Sequence, residues 1–89
     1  MRITAELSLY PLHDEFIADI RSFILDLRQR PGIEVLTNQL STQIRGELAD
    51  VMAAVACALE RSGAGPGSRV LVAKFVTADL PIATAPHLG

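Results

Sequence analysis

Residues 2–10, "RITAELSLY", alternate apolar and polar without interruption, and a proline follows at once. A period of two describes a strand with one covered face, here Ile3, Ala5, Leu7 and Leu9, and one face carrying Thr4, Glu6, Ser8 and Tyr10. Pro11 has no N–H to give to a sheet ladder and ends the run. The spacing then changes. Asp14 is placed to cap a helix and Glu15 to complement its dipole, and Phe16, Ile17, Ile20, Phe23, Ile24 and Leu27 recur at helical intervals. Arg28, Arg30 and the Pro31–Gly32 pair close it.

The pattern repeats in modified form. "IEVLT" (33–37) reads as a short strand, "NQ" (38–39) as a tight connection that uses the tolerance of Asn for positive φ, and "LSTQIRG" (40–46) as the returning strand. Leu48, Val51, Met52, Val55 and Leu59 line one side of a second helix. "GAGPGS" (63–68) is a flexible loop, and "RVLVAKFVT" (69–77) is a final strand rich in β-branched residues. The order β-α-β-β-α-β predicts an α+β, ferredoxin-like fold: a four-stranded antiparallel sheet with both helices on one face and the first and third strands central. Eighty-nine residues make one domain. It is placed at 1–80, followed by an extended C-terminal tail over 81–89.

Composition narrows the function. The chain is 49% hydrophobic and 20% charged, which marks it as globular, and its net charge of −2 gives no basic footprint for nucleic acid. Four aromatic residues (Tyr10, Phe16, Phe23, Phe75) are too few for a base-stacking platform. Cys57 is the one cysteine, so there is no intrachain disulfide and no CxxC motif. His13 and His87 lack ligand spacing and read as surface positions. No apolar run approaches the ~18 residues of a membrane span, and the alternating N-terminus is unlike a signal peptide. A cytoplasmic protein with no cofactor and no membrane partner is expected. Glu47 and Asp50 open the second helix and suit its dipole, and no triad, carboxylate pair or metal cluster argues for an enzyme.

Sorting the sheet faces exposes two questions. The covered layer contains Leu40, Thr42 and Ile44 from the third strand and Leu71, Ala73, Phe75 and Thr77 from the last. Thr42 therefore brings a hydroxyl among apolar neighbours, where leaving it unpaired costs about 1–3 kcal/mol; it needs a partner in the backbone, in water or in a ligand. The other face mixes Val70, Val72 and Val76 with Tyr10, Ser41, Gln43, Arg45, Lys74 and Glu6. That composition fits either a solvated sheet or a surface for self-association, with Glu6, Arg45 and Lys74 able to form charge pairs.

Three stretches carry a resemblance: "ITAELSLYPLHDEFIADIRSFI", "TNQLSTQIRGELADVMAAV" and "VLVAKFVTADLP". Together they span about residues 3–81, and the most specific pieces are "ST-x-IRGE" after a short strand and "SLYPL-x-D-x-F" before a helix. The chain resembles the YkoF-type thiamine/hydroxymethylpyrimidine-binding family and the thiamine-binding-protein-like domains built on one ferredoxin-like unit. The resemblance implies a non-catalytic binder of thiamine or its pyrimidine half that works as a homo-oligomer, a dimer or tetramer. By motif position it implies Thr37, Ser41 and Thr42 as hydroxyl contacts, Tyr10 as a wall or stacking group and Asp79 as a partner for a ligand donor. A carboxylate such as Glu6, Glu47 or Asp79 near the mouth would suit the thiazolium charge. The alternative kept beside it is a structural or regulatory oligomer that assembles through the open sheet face and holds no metabolite.

Overall fold

The computed structural model describes residues 1–89. Strand β1 (Arg2–Pro11) leads into helix α1 (Phe16–Arg28). β2 (Ile33–Thr37) and β3 (Thr42–Glu47) form a hairpin, and α2 (Leu48–Gly63) returns the chain to β4 (Arg69–Val76). The sheet order is β2-β3-β1-β4 with every neighbouring pair antiparallel, which is the ferredoxin-like α+β arrangement with β1 and β3 central. Period-two burial in β1 drives this: Ile3, Ala5, Leu7 and Leu9 are all buried and meet Phe23 and Leu27 of α1 and Val51, Ala54, Val55 and Ala58 of α2. No helix is long and apolar enough to cross a membrane.

The two β1 registers put inward residues in rows. One row runs Phe75–Ala5–Ile44–Val35, and the next runs Ala73–Leu7–Thr42–Thr37. Gly46 permits the tight β2–β3 edge, since a Cβ there would stand 2.6 Å from the Gly32 carbonyl oxygen. Gly32 itself takes φ +82° as the chain reverses after α1.

Several local expectations are corrected. α1 begins at Phe16 with Glu15 as its flanking residue, and neither Glu15 nor Asp14 provides a side-chain cap. Pro11 lies inside β1, opposite Arg69, and is tolerated because the Leu12 N–H continues the bonding toward β4 while the pairing of β1 with β3 has already ended at Leu7, so no ladder partner is left waiting for a Pro11 donor. Leu40 is 89% exposed and belongs to the turn, so β3 starts at Thr42. That turn uses no positive φ; the Asn38 side-chain Oδ1 accepts the N–H groups of Leu40 (2.9 Å) and Ser41 (3.1 Å) instead.

The covered face of α2 is made by Val51, Ala54, Val55 and Ala58, while Leu48, Met52 and Leu59 are exposed. Small alanines face the sheet and α1 because the helices lie close; the larger side chains stand on the flank. Ala73, Phe75 and Thr77 are likewise exposed although Ala73 and Phe75 share rows with buried β1 residues, since the helices cover the centre of the sheet and not its β4 edge.

The segment after β4 is tied to the open face. The Thr4 hydroxyl donates to the Ala78 carbonyl (2.8 Å) and accepts from the Leu80 N–H (2.9 Å), and Arg45 Nη1 donates to the Leu80 carbonyl (2.7 Å). This contact buries Thr4, which alternation alone places on the solvent side.

Candidate functional site

At the end of the sheet where β1 stops, α1 and the β2–β3 turn leave a cleft of about 540 Å³. Its floor is Leu7 and Leu9 of β1, one wall is Phe16, Ile20, Phe23 and Ile24 of α1, and the rim includes Tyr10, Leu12 and the 38–41 turn. Of α1's apolar residues only Phe23 and Leu27 are buried in the core; Phe16 and Ile17 are exposed, and Phe16, Ile20 and Ile24 line the cleft. These three read as core from their spacing. The signal that could have separated them is the width of the apolar stripe on α1, which exceeds what a five-residue β2 and its neighbours can cover.

Thr37 and Thr42 bring hydroxyls to the cleft beside its apolar floor and α1 wall. They are directly opposite in the β2–β3 register, and their hydroxyl oxygens are 3.0 Å apart in a hydrogen bond that either can donate. Thr42 is 5% exposed, so its hydroxyl has the partner its burial requires. Each Thr hydroxyl has one O–H and two lone pairs. The mutual bond uses one O–H and one lone pair, so the pair still has an O–H and lone pairs to offer to a group in the cleft. A flat ring with a donor beside an acceptor matches that offer.

The other residues proposed from sequence are placed differently. Ser41 borders the cleft, but its hydroxyl is engaged on the opposite side of the strand, donating to Glu6 Oε2 (2.9 Å) and accepting from Gln43 Nε2 (2.7 Å). Tyr10 stands at the rim, 55% exposed. Asp79 is not brought to the cleft. It pairs with Arg2 Nε at 2.8 Å and lies 3.8 Å from Arg45, at the opposite end of β1. The carboxylates considered for the mouth are also elsewhere: Glu6 faces Lys74 (3.4 Å) on the open sheet face, and Glu47 meets the N-terminal amine (3.2 Å). The Ser41 hydrogen bond, and then Lys74, hold the Glu6 carboxyl below the ordinary carboxylate range. Asn38, unassigned by sequence, is the residue that shapes the rim through its turn.

A second polar cluster braces this end of the molecule. His13 Nε2 and Arg69 Nη2 both meet Asp19 Oδ2, and His13 Nδ1 accepts the Glu15 N–H (3.1 Å). Arg69, with a side chain only 3% exposed, also donates to the carbonyls of Pro66 (2.6 Å) and Gly67 (2.9 Å), pinning the loop before β4. His13 is thus a partly buried brace and not a free surface side chain, because the loop folds over it with Gly67 at φ +78°. The His13 hydrogen bond pulls the Asp19 carboxyl below its usual range; desolvation opposes it, and the Arg69 charge adds to the lowering. Nowhere do three or more His, Cys, Asp or Glu side chains form a group that could hold a metal ion.

Comparison with solved structures gives the same architecture. A Streptococcus pneumoniae protein superposes with a TM-score of 0.82 at 22% identity, over 90% of this chain and 90% of that one. A hypothetical protein from Methanocaldococcus jannascii gives 0.78 at 20% identity, over 88% and 81%. A Thermotoga maritima protein described as a "putative thiamine biosynthesis/salvage protein" gives 0.75 at 14% identity, over 97% and 90%. At these identities the likeness is one of fold. No curated protein matches the chain. The model of the YKOF-related family matches residues 2–65, well over half of its length.

Proposed function

The chain belongs to the YKOF-related family, and from that premise we propose that it is a non-catalytic binding protein for thiamine or its hydroxymethylpyrimidine moiety. The observation that carries the reading is the Thr37–Thr42 hydroxyl pair beside the apolar floor and α1 wall of a cleft of about 540 Å³. Small-molecule sites have this composition: mostly apolar walls and a few fixed polar groups that orient the ligand. An aminopyrimidine carries ring-nitrogen acceptors beside an exocyclic amine donor, and two adjacent hydroxyls can answer both. Leu7, Leu9, Phe16 and Ile20 contribute the apolar surface against which a flat ring packs, and Tyr10 stands at the rim as a stacking group. The description of the Thermotoga maritima neighbour points toward the same chemistry.

The protein acts in this reading as a homo-oligomer. Val70, Val72 and Val76 are exposed on the open face of β4, next to exposed Tyr10, and β4 is an edge strand whose outer main-chain groups have no partner strand. A second copy covers such a surface more completely than solvent does. Binding is tested by thermal unfolding of the protein with thiamine and with hydroxymethylpyrimidine. Ligand at about 100 times its Kd adds about 2.7 kcal/mol to the folded state and raises the Tm. No shift at millimolar concentrations of either compound would refute the proposal.

A further inference from the structure

Nearly every cation of this molecule is committed. Arg2, Arg45, Arg61, Arg69 and Lys74 each meet a carboxylate, and Arg30 donates to the Ala53 carbonyl. Of the eight basic side chains only Arg21 and Arg28 make no hydrogen bond or ion pair, and both stand exposed on the outer flank of α1. Seven residues apart, they are separated by about 10.5 Å along the helix axis. With Ile17, Ile20, Ile24 and Leu25 they enclose a shallow groove of about 500 Å³, and Ile17 is 71% exposed. Before the same helix, Asp14 and Glu15 are exposed and their side chains cap nothing.

We infer that the outer flank of α1 docks against the same flank of a second copy, with the two helices antiparallel. Uncommitted carboxylates at one end, uncommitted arginines toward the other and isoleucines between make the helix complementary to itself in that orientation. A two-fold axis near Ile20 sets the Asp14–Glu15 turn of each copy between Arg21 and Arg28 of the other. Antiparallel packing also brings opposite ends of the two helix dipoles together. Parallel helices would place like charges side by side. An anionic membrane suits the surface less, because the acidic turn and the net charge of −2 oppose it. α1 packs on the β2 side of the covered face, so this surface is separate from β4 and from the open face proposed for self-association. Two self-complementary surfaces on one chain close at four copies.

The test is light scattering of the full chain carrying Arg21→Glu/Arg28→Glu or Asp14→Lys/Glu15→Lys, with circular dichroism to show that each is folded. Each variant alone has one sign of charge along α1 and should show half the wild-type mass. An equal mixture of the two should recover the full mass at low salt and lose it as salt is added. Ile17→Ser, which alters no charge, should also halve the mass. An unchanged mass in these variants, or a mixture that stays dissociated, overturns the inference. So does a dissociated chain that instead sediments with phosphatidylglycerol vesicles. Val72→Asp measured in parallel separates the two surfaces. Dissociation by Val72→Asp alone leaves the open-face contact and removes this one, and dissociation by the α1 variants alone does the reverse.

Discussion

At the scale of single residues, the functional weight falls on atoms that are satisfied and yet have capacity left. Thr42 has a partner in Thr37, so its buried hydroxyl is satisfied without a ligand, and the pair, which lines the cleft, keeps one O–H unused. Ser41 is the contrasting case: its hydroxyl both donates and accepts on the open face. Asp19 carries the residue-scale stability prediction. Its carboxyl is held below the ordinary range by His13 and Arg69, so the folded state prefers the ionised form. That contribution is fully present above the unfolded carboxylate's range and is lost as pH falls through the depressed folded value. Asp19→Asn should therefore unfold at a lower temperature than the wild type at neutral pH. The gap in Tm should narrow as acid is added below the normal carboxylate range, and a gap that widens in acid would refute this assignment.

At the scale of elements, the alternation of β1 and the order of periods along the chain were enough to read the sheet, its central strands and the apolar covered face of β1. Period alone could not place the ends of elements. Leu40 looks like an inward strand residue by spacing but lies in the turn, because Asn38 captures the Leu40 and Ser41 N–H groups and closes a four-residue connection. It also could not separate a core wall from a cleft wall, since Phe16, Ile20 and Ile24 are as apolar as Phe23 and Leu27. Of the candidate site, Thr37, Thr42 and Tyr10 were legible, whereas the position of Asp79 depends on where the chain turns after β4 and on its pairing with Arg2. The turn is open to test. Asn38→Ala removes two hydrogen bonds to main-chain N–H groups, and we expect about 1 kcal/mol less stability together with weakened ligand binding, measured by denaturant unfolding and titration. Full retention of both would show that the turn does not shape the rim.

At the scale of the whole molecule, the helices cover the middle of the sheet and leave its β4 side bare. Val72, 51% exposed, stands midway along that strand opposite Ser8, and Leu48, Met52 and Leu59 add exposed apolar surface on α2. The C-terminal segment covers only the Thr4–Arg45 end of the open face. Light scattering of the wild type should give a mass of two or four chains, and Val72→Asp should shift it toward one chain, since a carboxylate buried without a partner opposes association. A wild type that is monomeric at all concentrations would remove the oligomer.

Those scales converge on the hydroxyl pair. The most direct test compares ligand titrations of the wild type and the double variant Thr37→Val/Thr42→Val, which replaces both partners of one hydrogen bond with groups of similar shape and so should leave the unfolding temperature nearly unchanged. Hydroxymethylpyrimidine is expected to bind the wild type and to bind the equally folded variant about tenfold more weakly or not at all. Equal affinity for the two proteins, or no binding to the wild type, would contradict it.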